Sequence, residues 1–419
     1  MSSSMVAPSY RAVLRTPFAF RTFTMALVGR LSYGTVFLSL VLALTDATGS
    51  FAMAGGAIAL FGLTSSLLSP LRAHLIDRHG VRKALPPMAV AYALALAVIA
   101  ALTWRPGIPG VALWSLAGVA GALTPPLGPI MRTLWSELLG DDEALLQRAY
   151  SLDTVAEELL YVTGPLIAGV LAGLVAPALG IAVSAVLVFV GALGLVLSPA
   201  VCSGPPSPEP SDAAPGLDGM AKRGSLFADL ARLRRPVLVT AGVGMCLGAL
   251  NLLVVAFAEE HGRLAAVAWV EAALATGSAI GGLLYGTVTW RIGLERRLLL
   301  MTVALATALA TAGLAPNLPV LALLVAVTGL FVSPVLTASY VLADKAATSG
   351  ARTQAGAWVN TAFNTGHSAG SASVGLLIGN LALAGCFAVS AAAPLLGVLA
   401  SLNPSKGPPT TENSESANG

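Results

Sequence analysis

Apolar stretches of roughly 20 residues recur about twelve times between Thr22 and Ser401, each followed by a short break. A stretch of that length matches the ~30 Å hydrocarbon core of a bilayer at ~1.5 Å of helix rise per residue. The pattern predicts spans at approximately 21–45, 52–72, 84–103, 109–132, 150–174, 176–198, 237–257, 264–290, 298–314, 318–342, 354–378 and 380–401. No charge separates the last two, and only Gly379-Asn380 marks a turn there. The runs are continuous and rich in Ala, Leu, Val and Gly, whereas barrel strands alternate over about ten residues, so an all-α integral membrane fold of twelve transmembrane helices is expected. The first span carries Arg30 and lacks a small-residue cleavage site, which argues against a cleaved signal peptide.

Composition agrees. Hydrophobic residues make up 56% of the chain and charged ones 10%, with a mean hydropathy of +0.81. Soluble domains carry ~25% charge, and a water-facing surface cannot be built from so little. Twenty of the 23 Lys and Arg residues fall on one face of the span pattern: before span 1, between spans 2 and 3, 4 and 5, 6 and 7, 8 and 9, 10 and 11, and in the tail at Lys406. The opposite loops hold only Arg105 and Arg263, and Arg30 is intramembrane. The positive-inside rule makes the basic face, with both termini, cytoplasmic. The net charge of +3 thus reflects topology, and no nucleic-acid partner is expected.

Composition shifts sharply at Pro199, where Ser203-Gly204-Pro205-Pro206-Ser207-Pro208-Glu209-Pro210 opens a linker. The expected organisation is a cytoplasmic segment over 1–20, a six-helix bundle over 21–198, a linker over 199–236, a second six-helix bundle over 237–401 and a disordered tail over 402–419. Gly224 to Arg235, with Leu226, Phe227, Leu230 and Leu233 against Arg232, Arg234 and Arg235, reads as a short amphipathic helix on the cytoplasmic membrane surface. The halves echo each other: Arg78-His79-Gly80-Val81-Arg82-Lys83 lines up with Arg291-Ile292-Gly293-Leu294-Glu295-Arg296. Parallel six-span repeats are a transporter plan with the substrate site between the halves.

Leu75-Ile76-Asp77-Arg78-His79-Gly80-Val81-Arg82-Lys83 resembles the signature loop of the major facilitator superfamily, with Arg72 or Ala73 in place of its leading glycine. With the 6+6 plan, the resemblance covers about residues 10–401. It implies that Asp77 is the acid of a cytoplasmic latch facing a helix end of the other half, with Arg78 and Arg82 as partners, Gly80 as the turn residue and Arg132 as a further candidate partner. A basic loop that only pins orientation is the alternative. In span 5, Tyr161-Val162-Thr163-Gly164-Pro165-Leu166-Ile167-Ala168-Gly169 is similar to an element of the family's proton-exchanging exporters. Pro165 with Gly164 and Gly169 permits a kink and close packing at the interface of the halves, or packing alone.

Charges inside spans cost about 2.5 to 3.5 kcal/mol each and ask for a partner or a water-filled cavity. Arg30 lies about nine residues into span 1 and Asp153, Glu157 and Glu158 about three to eight into span 5 from the same side, so pairing is open to them. Asp153 and Glu157 share a helical face, and Glu158 points roughly 100° away. Glu157 or Glu158 is a candidate proton-coupling carboxylate in competition between burial and Arg30; a fixed ion pair stapling spans 1 and 5, or a later start to the span, is the plainer reading. Asn360, Asn364, His367 and Ser371 draw one polar stripe down span 11, and His367 either carries a proton or is neutral and bonded to another helix. Glu271 in span 8 is a cavity candidate or a solvated helix end. By family analogy spans 1, 4, 7 and 10 line the cavity, where Tyr33, Trp114, Asn251 and Tyr340 are the polar or aromatic contacts.

No G-x-x-x-x-G-K-[ST] loop binds ATP phosphates, which leaves an ion gradient as the energy source. Cys202, Cys246 and Cys386 lack paired spacing, and no metal-ligand cluster, cofactor or catalytic constellation is expected. The expected function is a secondary active transporter, a monomer in the cell (plasma or inner) membrane, that exports small amphiphilic molecules in exchange for protons. An importer of sugars or other metabolites on the same fold is the alternative, and a membrane enzyme or non-transporting sensor a distant third.

Overall fold

The computed structural model describes residues 9–104, 110–140, 142–202, 218–348 and 350–402, and of 202, 218–231 and 402 the backbone alone. Arg105, Asp141, the tract from Ser203 to Pro210 and the tail with Lys406 lie outside the described residues, as do the side chains of Cys202, Lys222, Arg223, Leu226, Phe227 and Leu230.

The described chain folds as helices α1 (Tyr10–Arg15), α2 (Ala19–Thr48), α3 (Phe51–Leu67), α4 (Ser69–His79), α5 (Val81–Thr103), α6 (Gly110–Leu123), α7 (Leu127–Leu139), α8 (Glu143–Leu174), α9 (Pro177–Val196), α10 (Pro199–Cys202), α11 (Asp218–Glu260), α12 (Ala266–Thr287), α13 (Leu294–Ala312), α14 (Leu318–Ala346), α15 (Arg352–Leu377) and α16 (Leu383–Leu402). An isolated bridge between Ile378 and Leu381 is the sole β-type pairing among the described residues. Helix starts carry the acceptors that free N–H groups need: Ser50 accepts from Met53 N–H, Asp142 from Ala144 and Leu145, and Asn317 from Val320. Asp142 is therefore the N-cap of α8, with Glu143 in its first turn.

Nine helical stretches among the described residues are long and apolar enough to cross a membrane, ten if the bent pair α3–α4 counts as one. Two further expected spans, 298–314 and 354–378, fall on α13 and α15, helices of 19 and 26 residues with more polar sequences. Glu295, Arg296 and Arg297 open α13, and the polar stripe runs along α15.

Two spans expected to be continuous are broken. Span 2 is α3 and α4, bent by 40° at Leu68, and the chain leaves α4 only at Gly80, whose φ of 79° suits glycine. Span 4 is α6 and α7, interrupted at Thr124-Pro125-Pro126, where two successive residues lack N–H donors. The surface helix expected over 224–235 is instead continuous in backbone with the seventh span, since α11 runs from Asp218 through Pro236 to Glu260. A proline forfeits one intrahelical bond, and the arginines and leucine before it favour helix.

Both halves pack around their first long helix in the same manner. Gly34 of α2 backs onto Gly164 of α8, where a Cβ on Gly164 would lie 2.3 Å from the Gly34 carbonyl carbon. In the second half a Cβ on Gly248 of α11 would lie 1.9 Å from the His367 oxygen of α15, so these helices too meet backbone to backbone. The halves touch through α8 against α12 and α14, and through α3, α4 and α7 against α15.

Candidate functional site

Four charges from three helices meet in the first half. Arg30 of α2 donates to Asp153 Oδ1 of α8 at 2.7 Å and pairs with Glu157 Oε2 at 3.0 Å. Arg132 of α7 lies 3.1 Å from Asp153 Oδ2 and also pairs with Glu157. Both arginines and Asp153 are buried, while the Glu157 side chain keeps 21% of its exposure. Two positive and two negative charges neutralise one another, the condition under which burial of ions is tolerated. The guanidinium of Arg132 is covered from the other half by the Tyr340 ring, 3.6 Å from its centroid. One turn beyond Glu157 on α8, Tyr161 is exposed.

Glu158 takes no part in this centre. About 100° around α8, its Oε1 accepts from Ser333 Oγ of α14 at 3.0 Å, and Ser333 in turn is bonded to Ser278 of α12 at 3.2 Å. Its Oε2 is buried without a hydrogen-bond partner, and no Lys or Arg of the described residues pairs with it. Adjacent glutamates thus have opposite surroundings: Glu157 is clamped by two cations within its own half, and Glu158 bridges the halves through hydroxyls.

On the basic-loop face the halves are closed. Asp77 accepts backbone N–H groups of Thr353 at 3.2 Å and Gln354 at 2.8 Å, the first turn of α15, where free donors and the helix dipole favour an anion. Arg78 and Arg82 are exposed and pair with no described carboxylate, and Arg132 binds Glu157 and Asp153 rather than Asp77. Asp77, the acid expected in a latch, therefore binds backbone, and the three arginines expected as its partners do not pair with it. Gly80 is the turn residue. Around this contact Ser136 donates to Asp344 at 2.8 Å and accepts from Arg352 at 2.9 Å, Thr133 meets Thr353 at 3.1 Å, Lys345 pairs with Glu143 at 2.7 Å, and Arg297 donates to Gln147 at 2.7 Å. Tyr10 of α1 reaches the other half too, donating to the Leu283 carbonyl at 2.6 Å beside Gly286, where a Cβ would strike the phenol oxygen. Burial pushes its phenol up to about 12, so the donor persists at every physiological pH.

The remaining expected residues are scattered. Asn360 and Asn364 are half-buried on α15 and hydrogen-bond to no described side chain, which suits a cavity wall. His367 of the same stripe is 3.3 Å from Asn251 of α11, and Ser371 donates to Gly248 O at 2.8 Å, so these two and Asn251 join helices of one half. Tyr33 donates to Pro125 O at 2.5 Å, inside the break of span 4. Trp114 packs within the first half: its ring lies over Gly56 of α3 and its Nε1 donates to Met53 O. Glu271 is half-buried with no described partner. Gly164 packs on Gly34 of its own half rather than at the interface, and Gly169 is exposed with open space around it; α8 meets α12 lower down, where Val155 faces Gly282. Ser278, Ser333 and Tyr10 were not singled out by sequence, since neither a serine in a span nor a tyrosine before one carries a pattern of its own.

The described structure is thus a helical bundle of two halves, with charges buried inside the first and a closed contact between them. The family model described as Major Facilitator Superfamily matches residues 22–262 and 236–418, and the chain belongs to that family. No curated protein matches the chain significantly. Among solved structures the fold is similar to that of the human organic anion transporter MFSD10 (TETRAN), at 16% identity and a TM-score of 0.67 over 94% of this chain and 100% of that one. It is also similar to a bacterial homologue of the iron transporter ferroportin in the outward-facing state, at 16% identity and a TM-score of 0.69 over 91% and 98%. The same homologue with soaked iron gives 15% identity and a TM-score of 0.69.

Proposed function

We propose that the protein exports a small amphiphilic molecule in exchange for protons by alternating access, as a monomer of the cell membrane. Twelve spans form bundles over 21–198 and 237–401, the linker over 199–236 and both termini are cytoplasmic, and the basic-loop face is the cytoplasmic one. The observation that carries this reading is the pair Glu157 and Glu158. Glu157 is held in a neutralised centre, whereas Glu158 is a carboxylate without a cation at the seam that must part when the cytoplasmic side opens. A buried carboxylate lacking a counter-charge is neutralised by taking up a proton, and in doing so it turns from an acceptor into a donor toward Ser333. Glu158 is thus the coupling carboxylate and Glu157 the staple.

With the Asp77 contact closed, the molecule is in an outward-facing state, the state of the ferroportin homologue it resembles. Cargo enters from the outer end toward Tyr161, Tyr340, Asn360, Asn364 and the exposed edge of Glu157. An organic cargo is in keeping with the organic anion transporter among its structural relatives. The test uses inverted membrane vesicles with an interior-acid gradient and a panel of fluorescent amphiphiles. Gradient-dependent accumulation that collapses with a protonophore is expected; accumulation indifferent to the gradient, or seen only in right-side-out vesicles, overturns coupling or direction respectively.

A further inference from the structure

Two buried cations, Arg72 and Arg148, stand apart from the charge centre and the Asp77 contact, and Arg148 binds the Ala144 and Thr287 carbonyls. Arg72, in the first turn of α4, is 6% exposed and pairs with no carboxylate among the described residues. Its guanidinium lies on backbone instead. Nη1 donates to Gly121 O and Ala122 O, both at 2.7 Å, and Nη2 to Ser65 O at 2.5 Å.

These carbonyls are not arbitrary. Gly121 and Ala122 stand four residues before Pro125 and Pro126, which have no N–H to return to them; Thr124 N–H, at 3.3 Å, gives Gly121 O a second, longer contact. Ser65 lies in the last turn of α3. Two half-helices therefore end on one guanidinium, and each C-terminus carries roughly half a negative charge, so the pair offers about one unit against the one positive charge of Arg72. Interrupted helices in transporters coordinate free cations at such ends; here the cation is tethered to the chain. A fourth acceptor, Ser66 O, stands four residues before Pro70 and receives Thr361 Oγ1 of the other half at 2.9 Å.

Beyond the two breaks, α4 and α7 carry part of the first half's side of the closed face. Asp77 is on α4; Arg132, Thr133 and Ser136 are on α7; all four reach across to α14 or α15. We propose that Arg72 is the pin of a shared hinge, a positioning residue that locks the break of span 2 to the break of span 4 so that α4 and α7 swing as one lever. Opening gives up the Thr361 bond to Ser66 and keeps the three bonds of Arg72. The pairing of breaks acts whatever the cargo or the coupling ion.

The test measures the distance between spin labels on α4 and α7, at His79→Cys and Glu137→Cys, both exposed positions, in the full chain with its native cysteines replaced and in lipid nanodiscs. A control pair at Phe20→Cys and Leu197→Cys reports bundle integrity. One narrow α4–α7 distance is expected with Arg72 present, and Arg72→Met should lengthen and broaden it while the control pair stays unchanged. An α4–α7 distribution in Arg72→Met identical to that of the parent overturns the proposal. Should Arg72→Met not fold, adding Pro125→Ala and Pro126→Ala returns N–H donors to the two carbonyls, and the triple variant should regain folded protein with the α4–α7 distance still broadened. A triple variant no better folded than Arg72→Met, or one with the narrow parental distance, overturns it equally.

Discussion

Arg132 holds its guanidinium 3.6 Å from the centroid of the Tyr340 ring, so the charge centre of one half is closed by an aromatic face of the other. A desolvated contact of this kind is worth about 2 kcal/mol. Tyr340→Phe keeps the face and should leave thermal unfolding in nanodiscs nearly unchanged, whereas Tyr340→Ala should lower stability by about that amount and raise alkylation of cysteines placed below the ring. Equal behaviour of the two variants would show that the aromatic face contributes nothing.

The adjacent glutamates should separate cleanly on substitution. Glu157→Gln leaves two buried arginines short of one carboxylate, a defect costing about 3 to 5 kcal/mol, and should depress the yield of folded protein. Glu158→Gln preserves shape and a hydrogen bond to Ser333, so stability should shift by less than about 1 kcal/mol while gradient-driven transport is lost. Retained gradient-driven transport in Glu158→Gln would return the coupling role to another group.

Asp77 receives two backbone donors at the start of α15, and bonds to charged groups are worth about 1.5 to 3 kcal/mol each. Asp77→Ala should favour the inward-open state by about 2 kcal/mol or more, roughly thirtyfold in the equilibrium. Asp77→Asn, which keeps one acceptor, should fall between. Accessibility of a cysteine at Thr133 to a membrane-impermeant maleimide reads the shift, and an unchanged labelling rate in Asp77→Ala would discard the latch.

Backbone contact between α11 and α15 sets a steric test. Gly248→Ala places a methyl where 1.9 Å separates it from the His367 oxygen, and the helices must part at a cost of about 3 kcal/mol. Gly169→Ala meets nothing within 4 Å and should be silent in both stability and transport. A damaging Gly169→Ala would restore a role to the second glycine of the span 5 element.

Much of this architecture was legible in the chain because bilayer thickness imposes a length on each span and basic residues mark its ends. The intramembrane charges were legible for the same reason: Arg30, Asp153 and Glu157 stand out against apolar neighbours, and depth counting brings them to one level. Their fourth member was misread, since Arg132 lies near a span end and looked like a loop residue for Asp77, when the break at Pro125-Pro126 extends span 4 to Leu139 and draws Arg132 inside. The same break hid the partners of Arg72, which are carbonyls, and carbonyls leave no trace in residue type. Trp114 looked like a cavity residue from span membership alone; which face of a helix points to which neighbour is decided by packing, here over Gly56. The role of Glu158 depended on hydroxyls from α12 and α14, more than a hundred residues away in sequence.

Tyr10 lies eight residues ahead of Phe18 and the first span, yet its hydroxyl grips the carbonyl of Leu283 in the opposite half. That bond ties α1 to the second half. An affinity tag fused upstream should shift the balance of conformers seen in solution, while the same tag placed after residue 402 should not, and distance measurements on the two fusions would reveal which preparation reports the native resting state.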